Sequence, residues 1–340
     1  MSNIIELRSD TFTKPSAGML QAMTDAPVGD DVFGEDPSVN KLENMASEMF
    51  GMKAALFCPS GTMTNQIAIK CHTQPGDEVI CDELSHIYQY EGGGIAFNSA
   101  CSVRLLKGKR GRITAEQVLE GLNPDDIHKP VSRLVSLENT ANRGGGACYD
   151  FEEIWRIKKV CKEHGLGFHL DGARLFNALV YKNETPKQYG EAFDSISVCL
   201  SKGLGTPVGS VLIGTQKMIN KARRIRKIFG GGMRQAGFLA AAGIYALENN
   251  IERLAQDHFH ASLVAQSLTN KEWVSDILNV ETNILIFGVQ GKYSAASLVE
   301  ELNKKDILAM AISPTQVRMV FHLDVTLEMV ERLIEVIDIL

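Results

Sequence analysis

Gly167-Phe168-His169-Leu170-Asp171-Gly172-Ala173-Arg174 and, after a helical stretch, Ser195-Ile196-Ser197-Val198-Cys199-Leu200-Ser201-Lys202-Gly203-Leu204-Gly205 decide how this chain folds. Each begins as a short run of apolar and β-branched residues and breaks off at small residues and glycine, the pattern of a buried strand entering a turn. Asp171 and Lys202 stand 31 positions apart, the length of one strand–helix–strand step. Working outward, similar runs recur at Ala54–Cys58, Glu78–Cys81, Ser102–Leu106, Arg133–Leu137 and Val208–Ile213. Helical stretches at Thr62–Cys71, Ala115–Leu122 and Phe151–His164 lie between them. The alternation predicts an α/β fold whose mainly parallel sheet is covered on both faces. Such sheets gather ligands at the carboxyl ends of their strands.

The texture changes near residue 250. A helix over Ile251–Leu268, a strand at Ile284–Val289, a helix at Ala295–Lys304, a strand near Val317–His322 and a final helix from Leu327 predict a small α+β domain. The expected division is a large domain over residues 1–250 and a small C-terminal domain over residues 251–340.

Charge and composition remove several classes of function. The 340 residues carry 35 basic against 41 acidic side chains, a net charge of -6. That balance argues against nucleic-acid and anionic-membrane partners, which favour a basic surface. The longest apolar run, Phe238 to Leu247, has ten residues, about half of what spans a bilayer. Met1-Ser2-Asn3-Ile4-Ile5-Glu6 lacks the basic and apolar regions of an export signal. The seven cysteines are odd in number and contain no C-x-x-C pair, which suits buried reduced thiols in a cytoplasmic protein and no bound metal.

Three motifs carry chemistry, and each has a plain structural alternative. Pro59-Ser60-Gly61-Thr62 ends a strand and opens a helix, so its backbone amides and hydroxyls form an anion site suited to phosphate; Ser60 is equally an ordinary helix cap. Asp171 at a strand end can pair with a protonated ring nitrogen, or it caps a helix; a metal at His169 and Asp171 lacks a third ligand nearby in sequence. Lys202 leaves an apolar strand among small residues, where desolvation makes an amine nucleophilic; it is also a lysine that could snorkel from a glycine loop. Taken together, a phosphate cradle, an acid and a lysine match the phosphate, ring nitrogen and aldehyde of pyridoxal 5'-phosphate.

Six collinear stretches then carry a family resemblance. Leu7-Arg8-Ser9-Asp10-Thr11, Val28 to Pro37, Leu137-Glu138-Asn139-Thr140, His169–Arg174, Leu200–Ser210 and Gly230 to Gln235 resemble the low-specificity L-threonine aldolases, from residue 4 to about residue 330. The resemblance implies the aspartate-aminotransferase-like fold (fold type I) and the β-eliminating lyase group. It also implies retro-aldol cleavage of L-threonine, L-allo-threonine or another L-3-hydroxy amino acid to glycine and an aldehyde. By resemblance, Lys202 holds the cofactor as a Schiff base, Asp171 keeps its ring nitrogen protonated and His86 stacks on the ring. Ser60, Gly61, Thr62 and Arg234 serve the phosphate. Arg174 and Arg318, with Ser9, grip the substrate carboxylate, and Lys227 lies near the site. The N-terminal segment contributes to the site, and the expected assembly is a homotetramer, a dimer of dimers.

The match breaks at one chemically important position. Ala141 follows Leu-Glu-Asn-Thr where relatives carry His, and a methyl group cannot shuttle a proton. The base could then be His86 or a bound water, the pocket for the β-substituent larger, or the preferred substrate another 3-hydroxy amino acid. Phe33 replaces a common Tyr. Two alternatives follow: another β-eliminating lyase of the same fold, or a cofactor-binding protein with reduced activity. Lys221, Arg223, Arg224, Arg226 and Lys227 form a basic run read as a site rim or subunit contact, against nucleic-acid binding.

Overall fold

A computed structural model describes residues 4–340; the stretch Met1-Ser2-Asn3, read above for an export signal, lies outside the described residues. The first strand, β1 (Ile5–Glu6), is short and belongs to the C-terminal part of the fold. The main sheet is built from β2 (Ala54–Cys58), β3 (Glu78–Asp82), β4 (Ser102–Leu106), β5 (Ser132–Glu138), β6 (Gly167–Gly172), β7 (Ser195–Cys199) and β8 (Ser210–Gly214). Their order across the sheet is β2-β8-β7-β6-β5-β3-β4. β4, β3, β5, β6 and β7 run parallel, so their carboxyl ends share one edge. Every residue of β3, β7 and β8 is buried, which explains why these strands read as continuous apolar runs without alternation.

β8 runs antiparallel to both neighbours. A parallel return needs a crossover of about a dozen residues or more, and the Leu200–Gly209 connection is too short for one. It folds back tightly instead, with Leu200 N donating to Gly209 O at 3.0 Å. β8 also starts at Ser210, later than the expected Val208, because Gly209 takes φ +113 and leaves the ladder. A Cβ there would lie 2.6 Å from the Phe57 ring, so only glycine fits.

Beyond residue 250, β9 (Val274–Ile277), β10 (Ile284–Val289), β12 (Met310–Ser313) and β13 (Gln316–Val320) form an antiparallel sheet in the order β12-β13-β10-β9, while β11 (Ile307–Leu308) pairs in parallel with β1. Helices Leu254–Leu268, Ala295–Asn303 and Leu327–Ile339 accompany them. Leu285, Phe287, Leu298, Val317, Met319 and Leu333 share a core into which Ile5 and Leu7 also pack. A separate core around Leu42, Phe57, Phe168, Ile196 and Ile213 underlies the main sheet. The N-terminal segment therefore leaves the C-terminal core and passes over the main-sheet edge on its way to helix Ala17–Thr24.

One carboxylate organises the stretch Val28 to Pro37. Asp36 is fully buried; Oδ1 accepts from Ser38 N and Val39 N at the start of helix Pro37–Met49. Oδ2 accepts from Gly29 N at 3.2 Å and Gly237 N at 2.8 Å. Asp36→Ala strands four backbone donors, so a loss of about 3–5 kcal/mol is expected in urea unfolding. A change below about 1 kcal/mol would show that water replaces the carboxylate.

Candidate active site

The parallel strands deliver their chemistry to one edge. His86 follows β3 by four residues, Glu138 ends β5, Asp171 sits near the end of β6, and Lys202 follows β7 by three. Helix Gly61–His72 lies over this edge, with Thr64 Oγ1 and Ser197 Oγ 2.6 Å apart. Its N-terminus, with Ser60 capping Met63 N at 3.2 Å, sits above the strand that leads to Lys202. Ser60 and Thr62 are exposed and Gly61 half-buried, so the first-turn amides remain open to an anion.

Lys202 is half-buried, and its Nζ has no hydrogen-bond or ion-pair partner among the described residues. Its carbonyl accepts from Thr13 Oγ1 at 3.0 Å, which ties the N-terminal segment to the lysine loop. Burial would raise the Cys199 thiol, but the nearby Lys202 charge turns the balance and lowers it. Asp171 is buried and accepts from Asn65 Nδ2 at 3.0 Å and Ala173 N at 3.1 Å. Both donors are neutral, so its charge is left for a cationic partner.

His86 meets the same cluster. Its Nδ1 lies 3.1 Å from Glu91 Oε1, and ligand atoms of His86, Glu91 and Asp171 fall within 4.8 Å of one another. Burial opposes protonation of His86, yet the Glu91 bond and the Asp171 charge raise its pKa. Asn65 joins the groups, donating to Glu91 at 2.9 Å as well as to Asp171, while its oxygen faces His169 Nε2 at 3.2 Å. Burial depresses His169 to about 3, so it stays neutral and serves as a hydrogen-bonding prop. Asn65, Glu91 and Glu138 were not singled out as site residues from sequence; they lie on a helix, in a turn and at a strand end, and only the packing of separate segments reveals them.

Two arginines approach from opposite sides. Arg174 is buried and gives Nε and Nη2 to the two oxygens of Asp10, both at 2.7 Å, leaving Nη1 uncommitted. Burial would raise the Asp10 carboxyl, but the Arg174 guanidinium overcomes it and holds Asp10 at about 2. Arg318 stands on β13, with Nη1 3.0 Å from Asn142 Oδ1 and Nη2 3.1 Å from Arg8 O. Its Nε is buried and unpartnered, and burial, with the Arg174 charge, lowers Arg318 to about 10. Ser9 caps the Asp10–Phe12 turn beside this contact, and its hydroxyl accepts from Thr11 N at 3.2 Å.

Lys227 and Arg234 lie elsewhere in the single chain. Arg234 Nη1 donates to Asp30 at 2.9 Å. Lys227 lines a surface depression of about 590 Å³ with Asp31, Phe33, Arg223 and Gly232; Lys202, Asp171 and His86 are not part of its wall. Within the basic run only Arg226 is buried, while Lys221, Arg224 and Lys227 are exposed. Arg226 pairs with Asp31 at 2.7 Å, Arg223 with Glu43, and Lys221 donates to Cys71 O at 2.8 Å. Ala141 is buried, and a Cβ on Gly111 would come within 2.9 Å of its methyl. The Gly111 turn thus packs beside the Ala141 methyl.

Fold and site together define a fold type I enzyme with a lysine at the exit of β7. The model of the beta-eliminating lyase family matches residues 6–291. Over 326 residues the chain is 44% identical to a low specificity L-threonine aldolase of Escherichia coli K12, covering 96% of each. It is 39% identical over 329 residues to low-specificity L-threonine aldolase 1 of Arabidopsis thaliana, covering 95% of this chain and 92% of the relative. A threonine aldolase structure from Leishmania major superposes with a TM-score of 0.86 at 23% identity, covering 98% of each chain, which shows the shared fold. The chain belongs to the beta-eliminating lyase family.

Asp10→Asn leaves Arg174 buried without a counter-charge, and a loss of about 3–5 kcal/mol is expected at neutral pH. Because the folded Asp10 carboxyl is depressed, its contribution is present above the unfolded value near 4 and fades as pH falls toward 2. The gap in urea midpoint between wild type and Asp10→Asn should therefore narrow from pH 5 to pH 2.5. A gap constant with pH would remove Asp10 as the titrating anchor.

Proposed function

We propose that the protein cleaves L-threonine, L-allo-threonine or a related L-3-hydroxy amino acid to glycine and an aldehyde, with pyridoxal 5'-phosphate as cofactor. One observation carries the reading: an unpartnered lysine amine, a buried carboxylate and two incompletely bonded arginines meet at a single strand edge. The residues fit the cofactor on their own chemistry. Lys202 has a free amine, Asp171 a buried charge with neutral partners, and the helix at Ser60–Thr62 open amides. Bound pyridoxal phosphate supplies a ring that accepts electrons from a bond at the substrate's Cα.

The remaining tasks fall to the chain. Asp171 holds positive charge on the ring nitrogen, and His86 covers the ring face. Arg174 Nη1 and Arg318 Nε are the open donors for a substrate carboxylate, with Ser9 beside them. Fixing that carboxylate selects which bond at Cα faces the electron sink. The proton leaving the β-hydroxyl passes to His86 or to a bound water, because Ala141 offers no acceptor.

We infer a homotetramer from the family resemblance; Lys227 and Arg234 would then face the site of a neighbouring subunit. Phe33 is 73% and Ile228 74% exposed beside the depression that Lys227 lines, an apolar surface suited to such a contact. The seven unpaired cysteines suit a reducing compartment, which favours the cytoplasm. Among the described residues no helix is long and apolar enough to cross a membrane.

Cofactor-loaded protein should release glycine and aldehyde from a panel of L-threonine, L-allo-threonine, phenylserine and serine, with the Lys202→Ala control silent and its cofactor absorption shifted. No aldehyde from any substrate would sink the aldolase reading. An unchanged absorption band in Lys202→Ala would sink the role of Lys202. Phe33→Asp should lower the sedimentation coefficient; a wild type that sediments as a monomer with full activity would dismiss the assembly.

A further inference from the structure

Glu138 is a buried, ionisable group that the reaction outlined above does not use. It ends β5 in register with Asp171 on β6, so two buried carboxyl groups stand side by side at the sheet edge. Asp171 is needed there as a charge. Among the described residues Glu138 forms no ion pair, and instead accepts two backbone N–H bonds from separate segments.

The first comes from His86 N, 2.6 Å from Oε2. His86 opens the short His86–Gln89 helix, whose capping residue Ser85 makes no side-chain bond to the helix amides. Glu138 thus stands in for the missing cap and fixes the backbone that carries the His86 ring. The second comes from Asn142 N, 2.8 Å from Oε1. Asn142 in turn offers Oδ1 to Arg318 Nη1 at 3.0 Å. One carboxyl therefore grips the residue proposed for the cofactor face and, through one intermediate, the residue proposed for the substrate carboxylate.

We infer that Glu138 is a positioning residue that couples His86 to Arg318, and that it must be ionised to hold both. The inference rests on the roles proposed above for His86 and Arg318. A carboxylate accepts at both oxygens, whereas a protonated carboxyl turns one of them into a donor facing an N–H and loses that bond. Burial, and then the Asp171 charge, push Glu138 up to about 7, within the range where enzymes work. The charged and titratable groups around it are Asp171 and Arg174 from β6 and the turn after it, His86 with Glu91 behind it, Cys81 on β3, and Tyr149.

The test uses the cofactor-loaded protein and two readouts that do not depend on turnover, so a missing aldolase activity bears on the proposed reaction and not on Glu138. Glycine affinity is read from the cofactor's absorption at pH 6 and pH 8 for wild type and Glu138→Gln. An amide side chain can accept at only one oxygen, so the wild type should bind about tenfold more tightly at pH 8, an advantage that disappears by pH 6. The ratio of the two proteins cancels the titration of glycine itself. Amide exchange of the His86 and Asn142 segments in wild type, corrected for intrinsic rates, should lose about tenfold protection over the same interval. Asn142→Ala, which cuts only the arm to Arg318, should weaken glycine binding and reduce its pH dependence to the part carried through His86. A ratio that does not change with pH, or protection flat from pH 8 to pH 6, would overturn the inference even if Glu138→Gln fails to fold.

Discussion

Parallel strands have a common end, and this protein spends that geometry on bringing groups far apart in sequence within reach of each other. His86, Glu138, Asp171 and Lys202 come from four different strand exits, yet the in-register pairing of β5, β6 and β7 sets them along one edge. The edge carries no chemistry by itself. It is completed from above by the N-terminus of helix Gly61–His72, and from the side by the segment Arg8–Thr13, which runs between the two cores. The ion pair of Arg174 with Asp10 anchors that segment, and the Thr13 bond to the Lys202 carbonyl secures its far end.

Electrostatics at the edge is a matter of balance inside a protein of net charge -6. Four buried or half-buried cations or potential cations, Lys202, Arg174, Arg318 and His86, share the space with Asp10, Asp171, Glu91 and Glu138. Asp10 neutralises Arg174 and keeps it planar toward the cleft. Asp171 faces neutral donors only, so its charge stays available. Burial, and then the Asp171 charge, push Glu138 toward neutrality, and it is tied to backbone amides. Asp10 and Glu138 are thus shifted in opposite directions, set by what each meets.

Much of the site could be read from residue order. Lys202 and Asp171 declared themselves because an ionisable residue at the end of an apolar strand is costly unless used. Ser60-Gly61-Thr62 did so because small residues open a helix end. Asn65, Glu91 and Glu138 could not be read that way: each looks like an ordinary polar residue on a helix, a turn or a strand until its partners arrive from other segments. His169 has no third metal ligand nearby in sequence, and burial keeps it a neutral prop. The basic run at 221–227 reads as a site rim or subunit contact, and the fold pairs Arg226 with Asp31 and Arg223 with Glu43.

Sequence by itself determined the alternation of strands and helices and the family, and pointed to Lys202 and Asp171 as candidates, because these depend on local patterns and on residues whose chemistry is costly to place anywhere else. Tertiary structure alone decided that β8 runs antiparallel, since the short return after Lys202 leaves no length for a crossover. It also decided that the methyl of Ala141 lies under the Gly111 turn, and that Lys227 and Arg234 stand apart from Lys202 in a single chain. These are questions of which segments meet. Direction, burial and charge state are set by contacts between residues tens or hundreds of positions apart, and no local pattern records them.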